Sequence, residues 1–205
     1  MKLGILADIH EHVEYLSKSL ATFSEQGVDQ VVVLGDVFEL GERLRETIAL
    51  LDESGTIGVW GNHDFGLCTD PSEELLLKFG ARVVSVMGRL RPRLEIDGCL
   101  FTDVEPWLNP EKIEDLWWFE GHPGTPERAR QSFDAVPHQA LFVGHFHRWF
   151  LVTPDEAVLW NGEQPIALNS HRRYLIGVDA LVNGRCLIYD TKARVLTPLD
   201  VRGAG

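Results

Sequence analysis

The sequence of 205 residues is poor in cysteine and has no long apolar run. Its cysteines, Cys68, Cys99 and Cys186, are scattered and odd in number, which argues against a disulfide framework and against a paired-cysteine zinc site. We interpret them as small buried side chains. No apolar run approaches the roughly 18 residues of a membrane span, so we expect no membrane partner.

Basic residues are also scarce, with 19 Lys and Arg against 31 Asp and Glu and a net charge of −12. The Lys and Arg residues form no cluster, so binding to duplex nucleic acid has little electrostatic support. An acidic protein can still bind phosphate where bound cations reverse the charge locally. The first ten residues lack the basic region, the long apolar region and the cleavage site of a signal peptide, which predicts a cytoplasmic protein.

The first third of the chain has the pattern of an α/β fold, and the 44% hydrophobic content is enough for a single domain over residues 1–205. Apolar runs predict strands at residues 2–7, 31–34 and 57–60. Helical spacing predicts helices at residues 13–23 and 44–51 between them. Such alternation indicates parallel strands joined by right-handed crossovers.

The remainder of the chain is rich in short predicted strands. We place them at residues 82–86, 90–96, 99–102, 141–143, 150–153, 166–168, 174–178, 186–189 and 195–199. Residues 105–136 interrupt this series, because the segment is polar and rich in proline. We predict short helices there and interpret the segment as an insertion that forms a rim over the functional site.

Metal-capable side chains follow four of the predicted strands directly. The motifs are Asp8-Ile9-His10, Gly35-Asp36, Gly61-Asn62-His63-Asp64 and Gly144-His145-Phe146-His147. In open α/β sheets, ligands bind at the carboxyl ends of the strands. The i, i+2 spacing within the first and last motifs predicts that both side chains point to the same side of an extended segment. Singly, each motif fits an ordinary turn or a structural histidine, but the four together favour a site for divalent first-row metals.

This order of motifs resembles the calcineurin-like metallophosphoesterase family, and the resemblance extends from the first strand to about His147. It implies an α/β fold with two mixed β-sheets packed face to face between flanking helices, in four layers. It also implies a hydrolase that breaks phosphate monoesters or diesters with a metal-activated water. The implied cofactors are two divalent metal ions, with Mn²⁺ first and Fe, Zn, Ni or Mg as alternatives.

The resemblance also assigns roles to the motif residues. Asp8, His10 and His147 would hold one metal, Asp36 would bridge both metals, and Asn62 and His145 would hold the second. His63 would act as general acid near the leaving-group oxygen, and Asp64 would orient its ring.

One position departs from the family pattern. The family has a further histidine of the second metal site at the end of a strand between the last two motifs, whereas here the strand at residues 99–102 is followed by Asp103. We therefore predict Asp103 as a ligand through oxygen. The alternatives are a weak second site, or His122 reaching in from the downstream loop.

The sequence leaves the substrate open. A small phosphorylated molecule is the expected partner, and a phosphoprotein is the alternative. Arg148 and Arg173 are candidates for contacts with phosphate oxygens, or else ordinary surface arginines. Trp107, Trp117 and Trp118 either pack in the fold or stack on a flat substrate group.

The alternative function is a metal-binding scaffold for protein interactions, in which catalysis is lost or weak. Only Asp103 favours it. The His63–Asp64 pair favours the enzyme, because a scaffold needs metal ligands but no general acid.

Overall fold

Two mixed β-sheets packed face to face, with helices on their outer sides, form the architecture of the protein, as the sequence predicted. The structure is a computed structural model and describes residues 1–203. Its strands are β1 Lys2–Leu6, β2 Gln30–Leu34, β3 Ile57–Val59, β4 Leu94–Ile96, β5 Cys99–Thr102, β6 Ala140–Val143, β7 Phe150–Val152, β8 Ile166–Ala167, β9 Tyr174–Gly177, β10 Arg185–Asp190 and β11 Val195–Asp200. Its α-helices are α1 Val13–Glu25, α2 Leu44–Glu53, α3 Phe65–Cys68, α4 Glu73–Phe79, α5 Ala81–Met87, α6 Ile113–Leu116 and α7 Pro126–Ala135.

The first sheet has the strand order β3-β2-β1-β10-β11-β8. Its first three strands along the chain are parallel, as the alternation of strands and helices predicted. The C-terminal hairpin of β10 and β11 completes this sheet, because β10 lies antiparallel beside β1. The second sheet has the order β4-β5-β6-β9-β7, in which β5, β6 and β9 are parallel and the two edge strands are antiparallel to their neighbours.

The side chains of β1 and β2 alternate between two cores, as the pleat of a strand requires. Leu3 and Ile5 of β1 pack towards the second sheet, where the rings of Phe101 and Phe142 stack with centroids 5.0 Å apart. Leu6 packs on the opposite side against the helices. Both faces of the first sheet are therefore buried, which explains why its strands are continuous apolar runs.

Helix α5 corrects the strand that was predicted at residues 82–86. The run is rich in valine, which favours a strand, but it is short, and short apolar runs do not distinguish the two structures. Val83 and Met87 lie one helical turn apart and are buried in the core that α2 lines, so packing selects the helix. Of the strand predicted at residues 90–96, only β4 forms, and Arg91 instead bonds through its backbone to the edge of β3.

Residues 105–136 contain helices α6 and α7, in agreement with the short helices predicted for this segment. No helix within residues 1–203 combines the length and apolarity needed to cross a membrane.

Candidate metal centre

The backbone turns sharply where the strand-end motifs begin. Among residues 1–203, eight non-glycine residues have a positive φ, and six of them lie at or beside these motifs: Asp8, His10, Glu11, Asp36, His145 and His147. A non-glycine residue in this region costs about 1–3 kcal/mol, and such residues concentrate at functional sites. The i, i+2 pairs are therefore not in extended segments, contrary to the prediction from their spacing.

Hydrogen bonds between the loops bring the motifs together. The backbone segments that follow β1 and β2 continue side by side, because His10 donates its backbone N–H to the carbonyl of Asp36 at 2.9 Å. In the second sheet, Gly144 donates to the carbonyl of Asp103 at 3.0 Å. The backbone N–H of His145 joins the two sheets by donating to Oδ1 of Asp8 at 3.0 Å.

The first group of candidate ligands contains Asp8, His10 and His147, whose donor atoms lie within 4.8 Å of one another. Nε2 of His147 lies 3.2 Å from Oδ1 of Asp8 and 3.3 Å from Nε2 of His10. Its hydrogen bond to Asp8 raises the pKa of His147, while burial lowers the pKa of His10. Oδ2 of Asp8 is buried and has no hydrogen-bond partner.

The second group contains Asp36, Asp103 and His145, which are all buried and have donor atoms within 4.8 Å of one another. Oδ1 of Asn62 adjoins this group at 3.0 Å from Nδ1 of His145. Nδ1 of His145 also lies 3.5 Å from Oδ2 of Asp103. The structure thus places Asp103 and Asn62 beside the same imidazole, where the sequence predicted the second metal.

In the absence of cations, burial and repulsion between carboxylates disfavour the ionised forms of Asp36 and Asp103. Burial first, and then the neighbouring carboxylates, raises the pKa of Asp36 and of Asp103 well above the usual range. Burial lowers the pKa of His145 to about 4, so its imidazole is neutral and free to act as a ligand near pH 7. Neither carboxylate oxygen of Asp103 has a hydrogen-bond partner. Divalent cations would supply the missing partners, so this set of oxygen and imidazole donors fits them.

Two glycines make room for the carboxylates. A Cβ atom at Gly61 would lie 2.2 Å from Oδ1 of Asp36. At Gly35, where φ is +88°, it would lie 2.6 Å from Oδ1 of Asp103. Only glycine lets the backbone approach these oxygens so closely, which accounts for the glycine in both motifs.

Glu39 is a functional candidate that the sequence analysis missed. Its Oε2 lies 2.6 Å from Nδ1 of His10 and 3.4 Å from Nδ1 of His63. His63 is partly exposed, and its ring meets that of His10 edge-on with centroids 4.8 Å apart. The sequence could have indicated Glu39, because this carboxylate lies three residues after Asp36 in the loop that follows β2.

Asp64, which we predict to orient the ring of His63, makes its hydrogen bonds to the backbone. Its buried carboxylate accepts hydrogen bonds from the backbone N–H groups of Val37, Phe38 and Gly61, at 3.0, 2.9 and 3.1 Å. Asp64 therefore holds the loops that follow β2 and β3. The carboxylate beside the His63 ring is that of Glu39.

Arg173, a predicted candidate for contacts with phosphate oxygens, is engaged by backbone carbonyls. Its guanidinium donates to the carbonyls of Phe133, Val136 and His138 and lies over the Phe133 ring. It thus donates hydrogen bonds to backbone carbonyls at and just after the C-terminal end of α7, a common role for arginine. Arg148 is exposed next to His147, and its Nε donates to the carbonyl of Phe146 at 3.2 Å.

His122 lies outside both groups of candidate ligands. Its Nδ1 accepts from the backbone N–H of Gly124 at 3.0 Å, and its ring meets Phe150 edge-on. The structure therefore favours Asp103 over His122 for the second group.

Both groups open into one cavity of about 560 Å³. Its lining residues are His10, Asp36, Glu39, Asn62, His63, Trp117, Phe119, His145, Phe146, His147 and Val182. Trp117 and Phe119 come from residues 105–136, so this segment does contribute to the rim of the cavity. Trp107 and Trp118 instead pack against each other, with ring centroids 6.1 Å apart.

The fold is that of an α/β protein with candidate metal ligands at the carboxyl ends of its strands. Residues 1–172 match the calcineurin-like phosphoesterase superfamily domain, and the chain belongs to this superfamily of metal-dependent proteins.

Three proteins are similar to this chain in sequence or in fold. An uncharacterized protein of Methanocaldococcus jannaschii is 27% identical over 182 residues, which cover 85% of this chain and 73% of that protein. The crystal structure of a metallophosphoesterase from Sphaerobacter thermophilus has a TM-score of 0.78 at 22% identity, covering 98% of this chain and 88% of the other. A novel archaeal phosphodiesterase has a TM-score of 0.56 at 16% identity, covering 97% and 99%. At these identities the two solved structures show the shared fold alone.

Proposed function

We propose that the protein is a metal-dependent phosphoesterase that hydrolyses a monoester or diester of a small phosphorylated molecule. The observation that carries the proposal is the shared cavity, in which the groups of Asp8 and of Asp36 open beside the partly exposed His63, which forms a third metal-capable group with His10 and Glu39. Membership of the calcineurin-like superfamily supports the same reaction class.

The two groups divide the binding of cations between them. Asp8, His10 and His147 would hold one cation, and Asn62, Asp103 and His145 would hold another, with Asp36 shared. Bound divalent cations supply positive charge that activates water and stabilises the charge developing on the phosphoryl oxygens. Oxygen donors dominate the second group, which favours Mn²⁺ or Mg²⁺ there.

His63 is the residue that would deliver a proton to the leaving-group oxygen. The carboxylate of Glu39 lies beside Nδ1, so it would keep a proton on that nitrogen. Nε2 then carries the proton that is transferred. Because the ring is partly exposed to the cavity, this nitrogen is accessible to a bound ester.

A metal-binding scaffold is the alternative that Asp103 raised. A scaffold needs the ligands but has no use for a proton donor held by a carboxylate at the mouth of the cavity. The pairing of His63 with Glu39 therefore favours the enzyme.

Hydrolysis of p-nitrophenyl phosphate and bis-p-nitrophenyl phosphate tests the proposal directly. Protein stripped with a chelator should lose activity and regain it with Mn²⁺. Asp36→Asn should abolish activity, because that carboxylate would serve both cations, whereas Asp70→Asn, at an exposed aspartate outside the cavity, should keep it. Activity that survives chelation, or full activity in Asp36→Asn, would contradict the two-cation mechanism.

A further inference from the structure

Two exposed aromatic side chains stand at the mouth of the cavity. Trp117 and Phe119 follow helix α6 and are 51% and 56% exposed. Exposure alone indicates little, since Leu77 and Leu159 are more exposed still. The distinguishing feature is position, because both rings line the same cavity as His63 and the candidate metal ligands.

The two rings meet different parts of the site. Phe119 stacks on His145, with ring centroids 4.1 Å apart and an interplanar angle of 24°, so it covers one residue of the second group. Trp117 lies beside His63, with centroids 5.5 Å apart and rings tilted by 45°. Trp117 is therefore the aromatic wall next to the proposed proton donor.

The charges of the cavity limit what can bind against this wall. Its lining contains no lysine or arginine among residues 1–203, and its carboxylates come from Asp36 and Glu39. A phosphoryl group would be held by the cations, and further phosphates would meet no basic side chain. The rest of the ligand must gain its affinity from apolar and stacking contacts. The volume of about 560 Å³ lies within the range of cavities that hold organic ligands larger than phosphate.

We propose that Trp117 stacks on a flat heteroaromatic ring of the leaving group, and that the substrate is a nucleoside ester with a single phosphoryl group. The inference rests on the proposed function, since the place of the leaving oxygen follows from the role of His63. A leaving alcohol that takes its proton from His63 would lie beside the Trp117 indole, because the two ring centroids are 5.5 Å apart. Stacking of a base on an aromatic side chain contributes about 1–3 kcal/mol, which corresponds to roughly 5- to 150-fold in affinity.

Binding of two phosphonate analogues tests the inference without turnover. In each analogue a CH₂ group replaces the ester oxygen; one carries adenosine and the other carries only ribose. Calorimetry with Mn²⁺ present should show the adenosine analogue binding roughly tenfold more tightly to the wild-type protein. This ratio should fall to about one in Trp117→Leu and recover in part in Trp117→Phe, which restores a flat face.

Trp118→Leu is the matched control, because Trp118 packs against Trp107 and lies outside the cavity lining. It should keep the wild-type ratio. Equal affinities of the two analogues for the wild-type protein, a ratio unchanged in Trp117→Leu, or no binding of either analogue would overturn the inference. An unchanged ratio is also the result expected if the aromatic pair binds a protein partner instead.

The two proposals can fail separately. Chelator-sensitive hydrolysis of bis-p-nitrophenyl phosphate together with equal analogue affinities would remove the nucleoside inference alone. If the ratio of the two analogue affinities depends on Trp117 but the protein has no esterase activity, the stacking site would be supported and the catalytic proposal contradicted.

Discussion

Asp103 is a fully buried carboxylate whose oxygens have no hydrogen-bond partner. Without a cation, its charge opposes folding, because burial and the nearby Asp36 and Asp8 disfavour the ionised form. With a cation bound, the same charge becomes favourable. The contribution of this residue to stability should therefore change sign when metal is added.

The substitution Asp103→Asn tests this change of sign. In chelator-treated protein at pH 8, the variant should melt roughly 2–8 °C higher than the wild type, because a buried charge is lost. With Mn²⁺, the wild type should gain more stability than the variant. Calorimetry with and without Mn²⁺ measures both effects, and Asp70→Asn serves as the exposed control. Equal stabilisation of both proteins by Mn²⁺ would show that Asp103 is not a ligand.

A second prediction for a single residue concerns the role of His63 in turnover. His63→Ala should retain bound Mn²⁺ but reduce kcat by roughly 10²–10⁴, the usual contribution of general acid catalysis. The loss should be smallest for p-nitrophenyl esters, whose leaving group needs little protonation. Steady-state rates across esters of rising leaving-group pKa measure the trend, with His171→Ala as an exposed control. A loss of equal size for all leaving groups would indicate that His63 only positions the phosphoryl group.

The sequence predicted which strand-end side chains come together, because parallel strands bring their carboxyl ends to one edge. Asp8 and Asp36 are examples, whereas His145 follows a strand of the second sheet and reaches Asp8 across the two sheets. It did not predict the partner of His63, since this depends on the direction in which backbone N–H groups face in the loop after β2. Asp64 turns towards those N–H groups, and Glu39 on the same loop reaches the ring instead.

At the scale of elements, the loop after β2 is held by two buried carboxylates. Glu11 accepts hydrogen bonds from the backbone N–H groups of Glu39, Gly41 and Arg43, at 2.9, 2.6 and 2.7 Å. Asp64 accepts from the backbone N–H groups of Val37 and Phe38 in the same loop. The loop is therefore fixed along its length, which places Glu39 beside His63.

We expect Glu11→Gln to loosen this loop. An amide has only one oxygen to accept three N–H donors, so the free energy of unfolding should fall by about 1–3 kcal/mol. Turnover should fall as well, because Glu39 loses its fixed position. Urea denaturation and kcat measure the two effects. Glu46→Gln is the control, since Glu46 pairs with Arg43 on the surface and should leave stability unchanged. An unaltered stability of Glu11→Gln would contradict the role of Glu11.

Elements were predicted well where the apolar pattern was long, as in β1 and α1. The pattern failed at residues 81–87, where a short valine-rich run is compatible with both structures. The choice there depends on burial against α2, which is a tertiary contact and leaves no local signal.

At the scale of the whole molecule, the candidate centre joins the two sheets. Asp8, Asp36 and Asn62 follow strands of the first sheet, and Asp103 and His145 follow strands of the second. Cation binding should therefore stabilise the packing of one sheet on the other and not just a local loop.

Metal removal should lower the melting temperature of the entire protein in a single transition. A cation at 100 times its Kd stabilises the folded state by about 2.7 kcal/mol per site, so the melting temperature should rise with Mn²⁺ concentration. Calorimetry over a Mn²⁺ titration measures this, and Asp36→Asn should respond less steeply. A melting temperature independent of Mn²⁺ would contradict a centre shared by the sheets.

The position of β10 beside β1 has a consequence for the order of events during synthesis. The first candidate ligand is made at residue 8, but the last is residue 147, and β1 gains its second neighbour only when residues 185–190 have left the ribosome. Asp8 and Asp36 are therefore made long before His145 and His147, the histidines that the second sheet contributes. Cation binding at both groups would therefore follow the synthesis of His147, and the ion bound would be set by the metals available where β10 pairs with β1.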